Sequence, residues 1–290
     1  MESYSEFRNS LRIFFSNPSA VAGFIIFILY VIDALIVQFD PGLLGIKNPN
    51  VLQENFINPI PQPPSPKHPL GTTYPGIDLL HAIEAAIRID LFYSLIIVLS
   101  GATIGSILGI LSGYIGGLLD DIVMRITDIF FAIPYLVLAI AIGFVLGRDY
   151  ESMVIGLIIV WWPIYARYAR AQTLSIRRMP FIDAAKIAGV RDIKIMIRHI
   201  LPNVLPPIFV QISLDLGTIM VIFSTLAFIG LIPNASIPEL GYLTSLGLNY
   251  LQTAPWTVIF PGLAITLFAL AVNLMGDGLR DVIDPRRRSS

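Results

Sequence analysis

Apolar residues run in long blocks along this chain, parted by short polar stretches. The first block covers residues 20–37 and approaches the roughly 20 apolar residues that a membrane-spanning helix needs. A cleaved signal peptide would have a shorter apolar core and a small-residue cleavage site, so the block reads as a retained helix. Further blocks at residues 91–115, 122–146, 153–168, 205–232 and 254–275 predict five more crossings. The fold class that follows is all-α: a polytopic membrane protein with six transmembrane helices.

The segments between the blocks also carry pattern. Residues 58–71 are too rich in proline to be helical. Ile77, Leu80, Ile83, Ala86 and Ile87 then recur at helical spacing, which predicts an amphipathic helix on the membrane surface. Pro134 should kink the third span, where neighbouring helices can satisfy the freed carbonyl. Trp161, Trp162, Tyr165 and Tyr168 read as an interfacial belt, and residues 240–251 as a short surface helix.

Gly101, Gly105, Gly109, Gly113 and Gly117 recur every fourth residue in the second span. Such a face lets another helix approach closely; the sharper alternative is a lining of a pore. Three polar residues fall inside or beside apolar blocks. Asp33 lies near the outer end of the first span, where it reaches the interface. Asp215 and Asn273 are candidate intramembrane polar groups, and for Asp215 a functional role and a partner-satisfied structural role stay open.

The most informative polar stretch is residues 179–207. Pro180 and Asp183 are helix-start residues and Gly189 a helix-end residue. Ile193, Met196, Ile197 and Ile200 then follow at helical spacing, with Pro202 as a stop. The expectation is two short helices around a glycine corner. Asp183 either caps the first helix or meets a basic residue of a partner.

Composition excludes several classes. The chain is 55% hydrophobic and 13% charged, with no cysteine and only three histidines, His68, His81 and His199. A disulfide framework, a thiolate metal site and a histidine metal cluster are therefore not expected. No Walker A sequence occurs, so ATP is not bound here through a P-loop. Lys and Arg give the orientation. With the N-terminus inside, the inner segments hold Arg8, Arg12, Arg125, the eight basic residues from Arg167 to Arg198, Arg280 and Arg286 to Arg288; the outer ones hold Lys47, Lys67, Arg88 and Arg148. Both termini are expected in the cytoplasm.

Several motifs resemble the permeases of ABC importers, in particular the C-type subunit of the dipeptide/oligopeptide/nickel branch. Asp183, Ala184, Ala185 and Gly189 resemble the family's E-A-A…G loop with Asp in place of Glu, and His199, Leu201, Pro202 and Asn203 its H-I-L-P-N ending. His68 to Thr72 read HPLGT. Ser112, Gly113, Tyr114, Gly116, Gly117, Asp120, Met124, Arg125 and Asp128 resemble A-G-Y-x-G-G…D…M-R-x-x-D. Trp162, Tyr165, Ala166, Arg167 and Arg170 resemble W-x-x-Y-A-R-x-x-R, and Pro261, Gly262 and Asn273 to Arg286 the family's closing PG…NLxGDGLRDxxDPR. The chain departs from the pattern at Thr73 and Ile77, at Leu240 where Trp is favoured, and between Phe223 and Ile232, where a Glu and a final Gly are missing.

The resemblance implies a coupling loop at 179–207, with Asp183, Ala184, Ala185, Gly189, Leu201 and Pro202 as its contacts to an ATPase. It implies a division into residues 1–90 (tail, first helix, long extracytoplasmic loop), 91–280 (five-helix permease core) and 281–290 (basic tail). Implied partners are a second, B-type permease in a heterodimer, two ABC ATPase subunits that bind ATP and Mg, an extracytoplasmic substrate-binding protein and the lipid bilayer, with no nucleic acid. No catalytic or metal residue and no cofactor is expected in this chain itself. The setting implied is a prokaryotic plasma membrane. The substrate stays open between peptides, oligosaccharides and nickel complexes. A secondary transporter would need paired ionisable groups at the bilayer midplane, and a scaffold would need no glycine corner.

Overall fold

The computed structural model of the chain describes residues 11–147, 149–231 and 237–283. Its elements are almost all helical. Helix α1 spans Pro18–Phe39, α2 Leu79–Ile115, α3 Gly117–Ala132, α4 Tyr135–Leu146 and α5 Tyr150–Ile176. Then come α6 at Pro180–Ile187, α7 at Asp192–Phe228, α8 at Leu240–Gly247 and α9 at Trp256–Ile283. Five of these, α1, α2, α5, α7 and α9, are long and apolar enough to cross a membrane, and the count is six where the bent pair α3–α4 is taken as one span. Arg8, Arg148, Ile232 and the terminal Asp284 to Arg288 lie outside the described residues.

Local chemistry sets the ends. The Asn17 side chain accepts from the Ser19 and Ala20 amides at the start of α1, with Pro18 at the first helical position. Asp78 caps α2 through the His81 amide at 3.1 Å, and Asp149 caps α5 through the Ser152 amide at 2.7 Å. The third span is not one kinked helix, as the sequence suggests, but two helices bent by 94°. Proline excludes the preceding residue from helical geometry, and Ile133 is extended at φ −108°, ψ 131°, so Pro134 starts a new helix.

Four further expectations are corrected. No separate surface helix precedes the second span: α2 is continuous from Leu79, and Ala82, Ile83, Ala86 and Ile87 are buried by the chain itself. Pro202 does not end a helix. A π-turn at Met196–Ile200 precedes it, the Leu201 amide reaches back five residues to the Met196 carbonyl, and helix α7 runs on through Pro206 and Pro207. Trp161 and Tyr165 are interior residues rather than a belt, and α8 is packed inside, with Leu240 and Leu243 fully buried.

Helix α2 is central, packed along α5 and against α7, while α1 and α9 pair antiparallel. Tyr30 of α1 donates to the Ala264 carbonyl at 2.7 Å, and a Cβ on Gly23 would strike the backbone at Ala271. A two-residue hairpin, Thr72–Thr73 against Ile77–Asp78, closes the proline-rich loop. His68 Nδ1 lies 2.6 Å from Asp78, and Trp256 donates to the Thr72 carbonyl at 3.2 Å, fastening the loop to α9.

Candidate functional site

The polar stretch after α5 forms a helix, a corner and a second helix. Met179 is the N-cap residue of α6 and offers no side-chain bond; Asp183 sits in the first turn, exposed, where a carboxylate suits the helix dipole. Asp183 is therefore not the cap. The corner closes by two bonds, Gly189 amide to Lys186 carbonyl at 2.9 Å and Val190 amide to Ala185 carbonyl at 3.1 Å. Gly189 has φ +74° and nothing within 4 Å of where a Cβ would sit. This is a left-handed helix ending, and the glycine is needed for its backbone angle, not for space.

The corner is one-sided. Ile182 and Ile195 are fully buried and seat the two short helices against the bundle. The opposite side presents apolar groups: Ile187 is 89% exposed, and Ile193 and Ile197 are each 61% exposed. Ala184, Ala188 and Pro202 are exposed with them, while Ala185 and Leu201 are half-buried. Bare apolar side chains thus stand beside exposed cations on one face. The sequence pattern marks Ala184, Ala185 and Gly189 but not Ile187, whose exposure depends on where the corner turns the helix.

Tyr114, at the end of α2, ties this stretch to the transmembrane core. Its hydroxyl donates to Asp192 at 2.5 Å, and Lys186 and Arg177 lie over its ring at 5.7 and 5.8 Å. Arg177 also reaches the Gly113 carbonyl at 3.4 Å. Beside it, Arg170 of α5 grips Asp120 of α3 with two bonds, at 2.5 and 2.6 Å, and Ser112 donates to the same carboxylate. Arg167 reaches Asp128 at 2.5 Å and stacks on Phe131 at 4.1 Å. So the basic run is not a uniform field: its first two arginines are neutralised within the chain. The tyrosine and the aspartates were visible as motif letters, but their joint role as a clamp needed three helices brought together.

The glycine face lies on α5. A Cβ on Gly105 would collide with the Trp162 carbonyl and on Gly109 with that of Ala166; on Gly113 it would press tightly on that of Arg170, while Gly101 meets Trp161. Each four-residue step on α2 meets a four-residue step on α5, as small residues allow in a close crossing. Gly117 leaves this face: it opens α3 at φ +60°, and a Cβ there would meet open space.

Asp215 is sealed between α5 and α7, where Trp161 Nε1 donates at 3.0 Å and Gln211 Nε2 at 2.9 Å. It is a satisfied interior carboxyl that joins two spans. Asn273 is exposed and returns its amide to the Ala269 carbonyl at 2.8 Å on its own helix. The two candidate intramembrane groups are thus not brought together. Among the described residues no group of three or more His, Cys, Asp or Glu is placed to hold a metal.

Comparison with known proteins agrees with this arrangement. Residues 105–289 match the family described as binding-protein-dependent transport system inner membrane component. The dipeptide transport system permease protein DppC of Alkalihalophilus pseudofirmus is 36% identical over 98% of this chain and 91% of its own length. The probable D,D-dipeptide transport system permease protein DdpC of Escherichia coli is 37% identical over 93% and 88%, and the glutathione transport system permease protein GsiD of Pectobacterium atrosepticum 38% identical over 78% and 75%. A solved structure of the MetNI methionine ABC transporter in an inward-facing form shares the fold, with a TM-score of 0.51 over 69% of this chain and 96% of that one, at 18% identity. Family match, full-length relatives and helix arrangement coincide, and the chain belongs to the binding-protein-dependent transport system inner membrane components, the permease subunits of ABC importers.

Proposed function

We propose that this permease forms half of the pathway of a peptide importer, paired with a B-type permease and driven by two ATPase subunits that carry ATP and Mg. The observation that carries the reading is the anchored, apolar-tipped corner at Gly189: an exposed docking face joined through Tyr114 to the central helix α2. Closure of an ATPase dimer would displace α6, and Tyr114 and Ile195 would pass the motion to α2 and α7. An extracytoplasmic binding protein would deliver substrate to the outer end. Peptides are favoured over oligosaccharides and nickel complexes because the relatives described above are named for dipeptides, D,D-dipeptides and glutathione.

The orientation has both termini inside. Asn17 before α1 bonds Asp281 near the end of α9 at 3.2 Å, so the two ends share one face, which requires an even number of crossings. The Tyr114–Asp192 bond at the end of α2 and the Lys and Arg excess on that side support a cytoplasmic coupling stretch. Cysteines introduced at Ser65 and Ser289 should label from outside and inside respectively; outside labelling of position 289 would refute this topology.

The decisive experiment is reconstitution with the companion subunits. Gly189→Val and Ala185→Arg should leave the complex assembled while substrate-stimulated ATP hydrolysis and peptide uptake fall together. Full coupling in both variants would reduce the stretch to an ordinary loop.

A further inference from the structure

Two carboxyls are sealed inside the chain where α2, α7 and α8 meet. Asp90 lies on α2 and Glu239 is the N-cap residue of α8, and neither has any exposed surface. A backbone amide holds one oxygen of each: Leu240 donates to Asp90 Oδ2 at 3.2 Å and Tyr242 to Glu239 Oε2 at 2.6 Å. Because Leu240 follows Glu239 directly, the first bond makes the two carboxyls neighbours. Their other oxygens, Asp90 Oδ1 and Glu239 Oε1, are buried with no hydrogen-bond partner. The buried Ser94 lies one turn along α2, and Ser224 of α7 faces Glu239.

Two adjacent carboxylates do not both stay ionised in so dry a place without a compensating positive charge. Among the described residues no side chain supplies it. Arg88, two residues before Asp90, is engaged by Gln38, the Pro49 carbonyl and Asn50. Of the titratable groups around the pair, Tyr150 on α5 lies in its field, with Tyr93 on α2 and Tyr242 on α8 next to Tyr150, Glu151 beside Tyr93 and Glu54 beside Tyr242. None of them is cationic. The carboxyls are enclosed by this chain, so no residue of another subunit reaches them.

The charge must therefore arrive as a small cation. A divalent metal ion asks for about six or more oxygen ligands, more than two carboxyls and two hydroxyls provide. A proton needs only the two free oxygens. The remaining negative charge then rests on the two amides at the start of α8, where the helix dipole favours it.

We propose that Asp90 and Glu239 form a proton-binding site, with one proton shared between Asp90 Oδ1 and Glu239 Oε1 that clamps α8 to α2. The proton comes from water when the clamp forms and returns to water when it opens; no other bond changes. Burial pushes the Glu239 carboxyl above its usual range in the same direction. A group whose value is raised in the closed form favours that form at acid pH, and the advantage is lost as pH rises through the raised value. Helix α8 is the element held: a Cβ on Gly241 would run into the Ser224 backbone, so α8 sits tightly in the outer part of the bundle.

The test uses the full chain assembled with its companion subunits in lipid. The infrared difference between wild type and Glu239→Gln near neutral pH should contain a protonated-carboxyl C=O stretch that shifts in heavy water. The chain has no native thiol, so a cysteine at the buried Leu243 reports opening of α8. Its labelling, divided by that of a cysteine placed at the exposed Ser65 so that the thiol's own ionisation cancels, should quicken with rising pH, by up to about tenfold per pH unit through the titration. Glu239→Gln or Asp90→Asn should flatten that dependence. If either variant fails to accumulate, the other and the pH series on the otherwise native chain decide. Labelling that ignores pH, or a difference spectrum without the band, overturns the proposal. Labelling that follows sodium concentration at fixed pH assigns a metal cation and overturns the shared proton as well. These readouts do not depend on the transported substrate, so they stand or fall apart from peptide import.

Discussion

The glycine seam between α2 and α5 and the glycine corner after α6 use the same residue for opposite reasons. At Gly109 the backbone is ordinary helix and a Cβ would strike the Ala166 carbonyl; at Gly189 the surroundings are empty and φ is +74°. The seam needs the side chain to be missing, because two backbones touch. The corner needs a backbone angle that L side chains resist. The first is a packing requirement inside the bundle and the second a steering requirement on the surface, so they should fail in different ways.

The largest effect is expected at the seam. Gly109→Leu forces a large side chain between two backbones, at a cost of about 3 kcal/mol or more. The complex should not accumulate in the membrane, as read by immunoblot and size-exclusion chromatography; an assembled and active Gly109→Leu transporter would mean that α2 and α5 do not touch there. Next comes Asp120→Asn, beside the Gly113 end of the seam. It removes the ionised acceptor of the paired Arg170 bonds and should lower stability by about 1–3 kcal/mol, read as a drop in the melting temperature of the purified complex.

Gly189→Val should be milder for stability, about 1–2 kcal/mol held locally, because only the left-handed angle is disfavoured. Assembly should persist while coupling of ATP hydrolysis to uptake drops severalfold. Gly189→Asn, which tolerates that angle, should recover most of the coupling, whereas Gly109→Asn should recover nothing. That crossed pair of asparagine variants is the sharpest measure of the difference. Smallest of all is Asp128→Asn. Its pair with Arg167 is exposed, and the stability change should stay within about 1 kcal/mol and shrink with added salt.

Much of this was legible in the chain. Six apolar blocks gave the spans, since a bilayer accepts only segments whose backbone bonds close internally. The spacing of Gly101 to Gly113 predicted a close crossing because every fourth residue of a helix shares a face. Gly189 marked a corner because few other residues end a helix that way. What failed did so for identifiable reasons. Pro202 reads as a stop, yet a π-turn just before it realigns the backbone bonds and α7 continues. Trp161 and Tyr165 look like an interfacial belt by composition, but Trp161 serves Asp215 in the interior. The fifth glycine of the repeat, Gly117, has the right spacing and the wrong helix.

The sequence by itself determined which segments are helical, which side carries the positive charge and where the chain turns, because hydropathy, charge and glycine or proline geometry act over a few residues. Tertiary structure alone decided that Tyr114 would meet Asp192 and Arg170 would grip Asp120, and that Asp90 and Glu239 would be sealed beside each other. Those partners lie far apart along the chain, and no local preference distinguishes a carboxyl that will face water from one that packing will enclose. Only the summed fit of the helices fixes which groups meet, and with them the charges that must be neutralised.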